Sequence, residues 1–189
     1  MIEKLLQYDT DVFLFLNGLG SDTWDMLWLI ITNKLTFIPL YGILLFLIYK
    51  KYGLKSLLLS MVVIALMITF TDQITNLFKR SFMRPRPCRE LHLADYMRFI
   101  AVRCGKYGFF SGHSSNSMAA AIFASLMLRQ SYAYITPILI FWSFTVAYSR
   151  IYVGVHYPLD VICGLIFGAI SGVLFYVLFL KLSKNLLKS

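Results

Sequence analysis

Charge is scarce in this sequence, and the places that lack it follow a pattern. Only 14% of the 189 residues are charged, and only nine are acidic. Asp, Glu, Lys and Arg are absent from Leu35 to Tyr49, Ser56 to Thr71, Ser111 to Leu128, Gln130 to Ser149 and Val161 to Leu180; past Asp72 the second stretch resumes as far as Phe78. Several approach the roughly 20 apolar residues that cross a bilayer. With 59% hydrophobic residues and a mean hydropathy of +0.70, the composition excludes an ordinary soluble domain. It predicts an all-α, polytopic membrane helix bundle of about five spans over residues 35–181. Internal repeats, low-complexity tracts and linkers are lacking too, so residues 1–189 read as one membrane-embedded domain. Its one long polar connection is the loop 79–110.

The shortage of acids also bears on metals. No set of carboxylates clusters as a magnesium site requires, so no metal and no other cofactor is expected. Residues 1–34 are less apolar, because Asp9, Asp11, Asp22 and Asp25 interrupt them, and they predict one or two interfacial helices. A basic start, an unbroken apolar core and a small-residue cleavage site are all missing there, so the N-terminus is expected to be kept. The net charge is +9, and eight of the 18 basic residues fall between Lys79 and Lys106. No stacking module or nucleic-acid fold signature accompanies them, which excludes nucleic acid and favours anionic lipid as the partner.

Three short segments sit at the ends of the charge-free stretches. The first is Lys79, six residues, then Arg86-Pro87. The second is Ser111-Gly112-His113. The third is Ser149-Arg150, five residues, His156, three residues, Asp160. Parity puts all three at one membrane face: Lys79 ends span two, Ser111 opens span three, Arg150 ends span four and His156 precedes span five. Short loops at Arg129 and Gly154 make the last three helices antiparallel neighbours. Ser111 to His113 then offers the free amides of a helix N-terminus to an anion, and Gly112 lets backbone approach it closely. Pro158 suits a first helical turn, placing Asp160 within reach of the His156 imidazole.

These residue types permit phosphoryl transfer. Lys79, Arg86 and Arg150 supply fixed positive charge for the equatorial oxygens. Of two histidines, one can attack phosphorus while the other protonates the departing oxygen and later activates water. Asp160 would hold the tautomer of the nucleophile and stabilise its cation.

The three segments, in this order, resemble the type 2 phosphatidic acid phosphatase family over roughly Thr71 to Gly164. The resemblance implies that His156 forms a phosphohistidine and that His113 is the acid. It also implies that Lys79, Arg86, Arg150, Ser111 and Gly112 bind the substrate phosphate. Phe110 departs from the pattern, which often has proline there; altered loop geometry is expected, not lost catalysis. Vanadium haloperoxidases share the constellation but are large and soluble, unlike this chain. The expected activity is hydrolysis of a lipid phosphate or diphosphate without metal. Undecaprenyl diphosphate, phosphatidylglycerophosphate, phosphatidate and lipid A phosphates are all compatible. Phosphotransfer to an acceptor lipid is the alternative; a non-enzymatic membrane protein fits poorly, because no motif position is lost.

The resemblance also favours a site facing outward, toward the periplasm or cell exterior of a bacterial inner membrane. The opposite face would carry Lys50, Lys51, Lys55, Arg129, Lys181, Lys184 and Lys188 and no acid. A count of bases alone points the other way, because eight lie in the loop beside the site. In that oxidising setting Cys88 and Cys104 are expected to pair, leaving Cys163 in span five. Simpler roles suit other residues. Span-end lysines anchor at headgroups, and His92 matches no motif. Asp72, Asn76 and Lys79 recur on one helical face, where Asp72 either supports Lys79 or ties two helices together. Arg84, Arg89, Arg98, Arg103 and Lys106 either grip a headgroup or coat the loop. Gly164, Gly168 and Gly172 form a small-residue stripe for close packing, inside the bundle or between protomers. The oligomeric state is left open.

Overall fold

The computed structural model describes residues 2–186; Lys188, expected on the face opposite the site, lies outside the described residues. Six α-helices follow in order: α1 Ile2–Gly18, α2 Asp22–Thr32, α3 Ile38–Phe82, α4 Gly112–Leu128, α5 Ile135–Tyr152 and α6 Pro158–Leu186. Short 3₁₀ turns at Lys34–Phe37, Pro87–Arg89 and Leu91–Leu93 complete the helical structure. Two elements, Lys34–Phe82 and Pro158–Leu186, are long and apolar enough to cross a bilayer.

α3 is not one rod. Gly53 has φ 78° and ψ 178°, a backbone conformation that only glycine adopts without strain. It breaks the helix into arms at 38–52 and 54–82. The charge-free stretches end at Tyr49 and resume at Ser56; between them the structure turns on a single residue. Beside the break, Lys51 and Tyr52 both donate to the Met127 carbonyl at 2.8 Å, satisfying the C-terminal end of α4.

α4 is the central helix and packs on α6, α5 and α3. Small Ser and Ala residues bury most of its circumference, so neighbouring backbones come close. The Gly164, Gly168 and Gly172 stripe faces it. A Cβ at Gly164 would lie 2.5 Å from the Ser111 carbonyl oxygen, and one at Gly172 would lie 2.7 Å from that of Ala119. The stripe therefore packs inside the bundle. On the outer surfaces Val62, Phe141, Ile166 and Leu174 are exposed, an apolar belt suited to hydrocarbon and not to water.

The N-terminal region forms two helices, as expected, and both are tied to the bundle. α1 buries Asp9, Phe13 and Asn17. The Asn17 amide donates to the carbonyls of Arg98, Ile151 and Tyr152 at 2.9–3.0 Å. α2 docks through Trp28, whose ring lies 5.0 Å from both Tyr148 and Tyr152 of α5. These helices thereby cover the end of the bundle where the motifs meet.

Candidate active site

Local chain chemistry sets each motif. Ser111 is the N-cap of α4, and its hydroxyl accepts from the Ser114 N–H. Its own N–H donates to the Asp160 carbonyl at 2.9 Å, which locks the start of α4 to the start of α6. Pro158 opens α6, Asp160 follows in its first turn, and His156 precedes it. Arg150 occupies the last turn of α5, and Lys79 the last turn of α3. Phe110, which stands where the resembled pattern often has proline, is buried among Phe78 and Phe167, at 5.2 and 5.1 Å. The aromatic packing fixes the approach to Ser111 without removing the cap.

His156 and Asp160 are both buried, and Nδ1 of the imidazole lies 3.2 Å from Oδ2 of the carboxylate. The Tyr157 N–H donates to that same oxygen at 3.2 Å. With Nδ1 engaged, Nε2 is the nitrogen left to react. Burial first, then the charges of Arg86, Arg150, Lys79 and Arg84, hold the His156 pKa well below the ordinary histidine range. A neutral imidazole surrounded by cations suits attack on an anionic phosphate. A Cβ on Gly112 would lie 3.8 Å from Lys79 Nζ, so the lysine reaches the start of α4. Arg150 donates from Nη1 to the Thr32 hydroxyl. Its Nε is buried with no partner among the described residues, and a phosphate oxygen would satisfy it.

The polar loop is built as a clamp. Pro85 pairs with Tyr107 in an isolated antiparallel bridge, and the Gly108 N–H donates to the Arg84 carbonyl at 2.9 Å. Arg86 Nε donates to the Tyr107 carbonyl at 3.0 Å. Cys88 and Cys104 are joined by a disulfide, with Cα atoms 6.2 Å apart. Cys163 is free.

Sequence reasoning missed several contributors. The sequence offers Arg84 a headgroup or the loop surface, yet it bridges Asp9 at 2.6 Å and Asp160 at 3.0 Å. No sequence motif marks Gly108, yet a Cβ there would press on Asp160. Asn76 lies at the exposed edge of the face it shares with Asp72 and Lys79, while Thr75 is buried. Asp72 ties helices together, accepting from the Asn116 amide at 2.8 Å. His92 is exposed beside Glu90. Among the described residues, no three His, Cys, Asp or Glu side chains gather as a metal site would need.

A cavity of about 420 Å³ opens beside His113. Thr32, Lys34, Asp72 and Asn116 line its polar part, and residues such as Ile48 and Phe123 its apolar part. Such a shape suits an amphiphile with an anionic head.

The PAP2 superfamily pattern matches residues 54–184. The chain is 39% identical over 189 residues to the lipid A 4′-phosphatase of Bacteroides thetaiotaomicron, spanning 98% of this chain and 83% of that one. It is 33% identical over 183 residues to the lipid A 4′-phosphatase of Porphyromonas gingivalis, spanning 95% and 76%. In fold it matches the PAP2-type phosphatidylglycerolphosphate phosphatase of Bacillus subtilis with a TM-score of 0.71, at 18% identity, over 97% of this chain and 88% of that one. A helical membrane bundle with these relatives is a membrane lipid phosphatase, a hydrolase of phosphoric esters. The chain belongs to the PAP2 superfamily.

Proposed function

We propose that this enzyme removes the 4′-phosphate of lipid A through a phosphohistidine on His156. The observation that carries the choice of lipid is the 39% identity, over 98% of the chain, to a lipid A 4′-phosphatase. The Nδ1 contact of His156 with Asp160 supports the mechanism. Nε2 attacks phosphorus, and the bond from phosphorus to the sugar oxygen breaks. His113 delivers its proton to that oxygen, then takes one from water, which attacks the phosphohistidine and releases phosphate. Lys79, Arg86, Arg150, the Gly112 N–H and the Ser111 hydroxyl hold the equatorial oxygens through both steps. No metal takes part, because three cations already supply the charge.

The apolar cavity beside His113 takes lipid chain, while Lys34 and Thr32 stand at its polar part. The arms 38–52 and 54–82 of α3 together with α4, α5 and α6 make five crossings. The site then faces the periplasmic side of a bacterial inner membrane, and α1 and α2 lie at that interface. Labelling an engineered cysteine beside Lys184 from outside intact cells would contradict this orientation.

Purified protein given lipid A bearing both phosphates, in the presence of EDTA, should release inorganic phosphate and leave the 4′-dephosphorylated lipid. Mass spectrometry of the product fixes the position. Faster turnover of phosphatidylglycerophosphate, undecaprenyl diphosphate or phosphatidate would replace the proposed substrate. Transfer of phosphate to an added lipid without release would make the enzyme a phosphotransferase.

A further inference from the structure

α1 reaches the catalytic pair through one side chain. Arg84 donates from Nη2 to Oδ2 of Asp9 at 2.6 Å and from Nη1 to Oδ1 of Asp160 at 3.0 Å. The other oxygen of Asp160 holds His156. The other oxygen of Asp9 accepts from the Leu159 N–H at 2.8 Å, one residue before Asp160. Asp9 is 4% exposed and Asp160 0%, so water screens these contacts little. The guanidinium carbon of Arg84 stands 4.2 Å from the centre of the Tyr157 ring, which meets Phe13 of α1 edge-on at 5.4 Å. Packing fixes Arg84 between the two carboxylates.

The arrangement solves a charge problem. A carboxylate can stabilise a cationic His156 only if another cation has not already neutralised it. Arg84 lies as close to Asp160 as the imidazole does, and the site already holds Lys79, Arg86 and Arg150 around His156. Asp9 is the nearer partner of Arg84 and takes up its charge. The Leu159 contact meanwhile sets the first turn of α6, on which Asp160 rides. We infer that Asp9 is a positioning residue for catalysis, holding Asp160 in place through Arg84 and leaving the Asp160 charge to serve His156. The inference rests on His156 being the nucleophile.

A tether for α1 would use the same contacts, and Asn17 separates the two roles. It binds α1 to the Arg98, Ile151 and Tyr152 carbonyls and touches no charge of the site. Full-length protein in lipid nanodiscs, with a lipid phosphate that wild type hydrolyses, provides the test. Asp9→Asn should lower kcat roughly tenfold and leave KM within about twofold, because the lost interaction acts on the reacting state and not on binding. Asp9→Glu should recover most of that loss. Asn17→Ala should lower Tm and leave kcat unchanged. In an Arg84→Gln background, Asp9→Asn should change kcat by less than about twofold, since its effect passes through Arg84. Wild-type kcat in Asp9→Asn, with only a fall in Tm like that of Asn17→Ala, would overturn the inference. So would an equal loss with and without Arg84. If Asp9→Asn does not fold, Arg84→Gln decides alone: wild-type kcat there overturns the inference, while a drop in kcat at constant KM, partly restored by Arg84→Lys, supports it. Wild-type turnover tests the phosphatase reading separately, because only the ratios among variants bear on Asp9.

Discussion

Gly108 stands directly against Asp160: a Cβ on this glycine would lie 2.8 Å from Oδ2 of the carboxylate and 3.6 Å from Nδ1 of His156. Either the loop or the His156–Asp160 pair must move to admit a methyl group. The loop is held by the Arg84 carbonyl and the disulfide, so the pair should give way. Gly108→Ala should therefore reduce kcat by about a hundredfold, the scale expected when a reacting group is displaced by about 1 Å. The thermal midpoint should fall only slightly. Steady-state kinetics with wild-type kcat would show that the site tolerates the methyl group.

The disulfide serves the same loop. Removing it as Cys88→Ser with Cys104→Ser should cost about 3 kcal/mol in the chain-entropy model for a closed loop of this size. It should also impair turnover, because the segment from Arg84 to Arg86 and the segment from Tyr107 to Gly108 are held as a pair by the bridge and two hydrogen bonds. Alkylation of the intact, unreduced protein followed by mass spectrometry should mark Cys163 alone. Label on Cys88 and Cys104 would show that the bond is absent in the native enzyme.

Much of this site was legible in the sequence because its chemistry requires particular residue types at helix ends. Ser111 before an apolar run signals an N-cap, Pro158 signals a first turn, and parity carries the three segments to one face. The missed residues make contacts that depend on tertiary packing. Asp9 lies 75 positions from Arg84, and Thr32 lies 118 from Arg150; no local pattern encodes such a meeting. The only clue to Asp9 was an acid one turn before Phe13, on the face of α1 that also carries Asn17. Asp72 and Asn76 share a face, as their i, i+4 spacing requires, but Asn76 lies at its exposed edge, and the partner of Asp72, Asn116, comes from the neighbouring helix. The glycine stripe was legible as a packing surface, but only the close approach of α4 carbonyls showed which helix it meets.

Acid should unfold the protein partly through His156. Its folded pKa lies well below the ordinary 6.5, chiefly because it is buried. Below pH 6.5 the unfolded chain takes up a proton that the folded site excludes, so stability is full above this pH and falls as the pH drops toward the folded pKa. The slope is about 1.4 kcal/mol per pH unit for one proton. His156→Asn removes this linkage, so the fall in its thermal midpoint between pH 6.5 and pH 5 should be smaller than in wild type. Parallel curves for the two proteins would show that His156 titrates normally in the fold.

The two histidines should fail in different ways. His156 has the carboxylate partner that orients Nδ1 and stabilises a cation, whereas His113 lies in the first turn of α4 at the cavity. With His156 as the proposed nucleophile, His156→Ala removes the attacking nitrogen, so no covalent intermediate should form with any substrate. With His113 as the proposed acid, His113→Ala removes the proton donor, which matters least when the leaving group departs without help. An activated phosphate ester should therefore still phosphorylate the His113→Ala protein, and the intermediate should accumulate because water is no longer activated. Rapid quenching at alkaline pH preserves phosphohistidine for peptide mass spectrometry, and the label should sit on His156 in wild type and in His113→Ala. Label on His113, in wild type or in His156→Ala, would reverse the two roles.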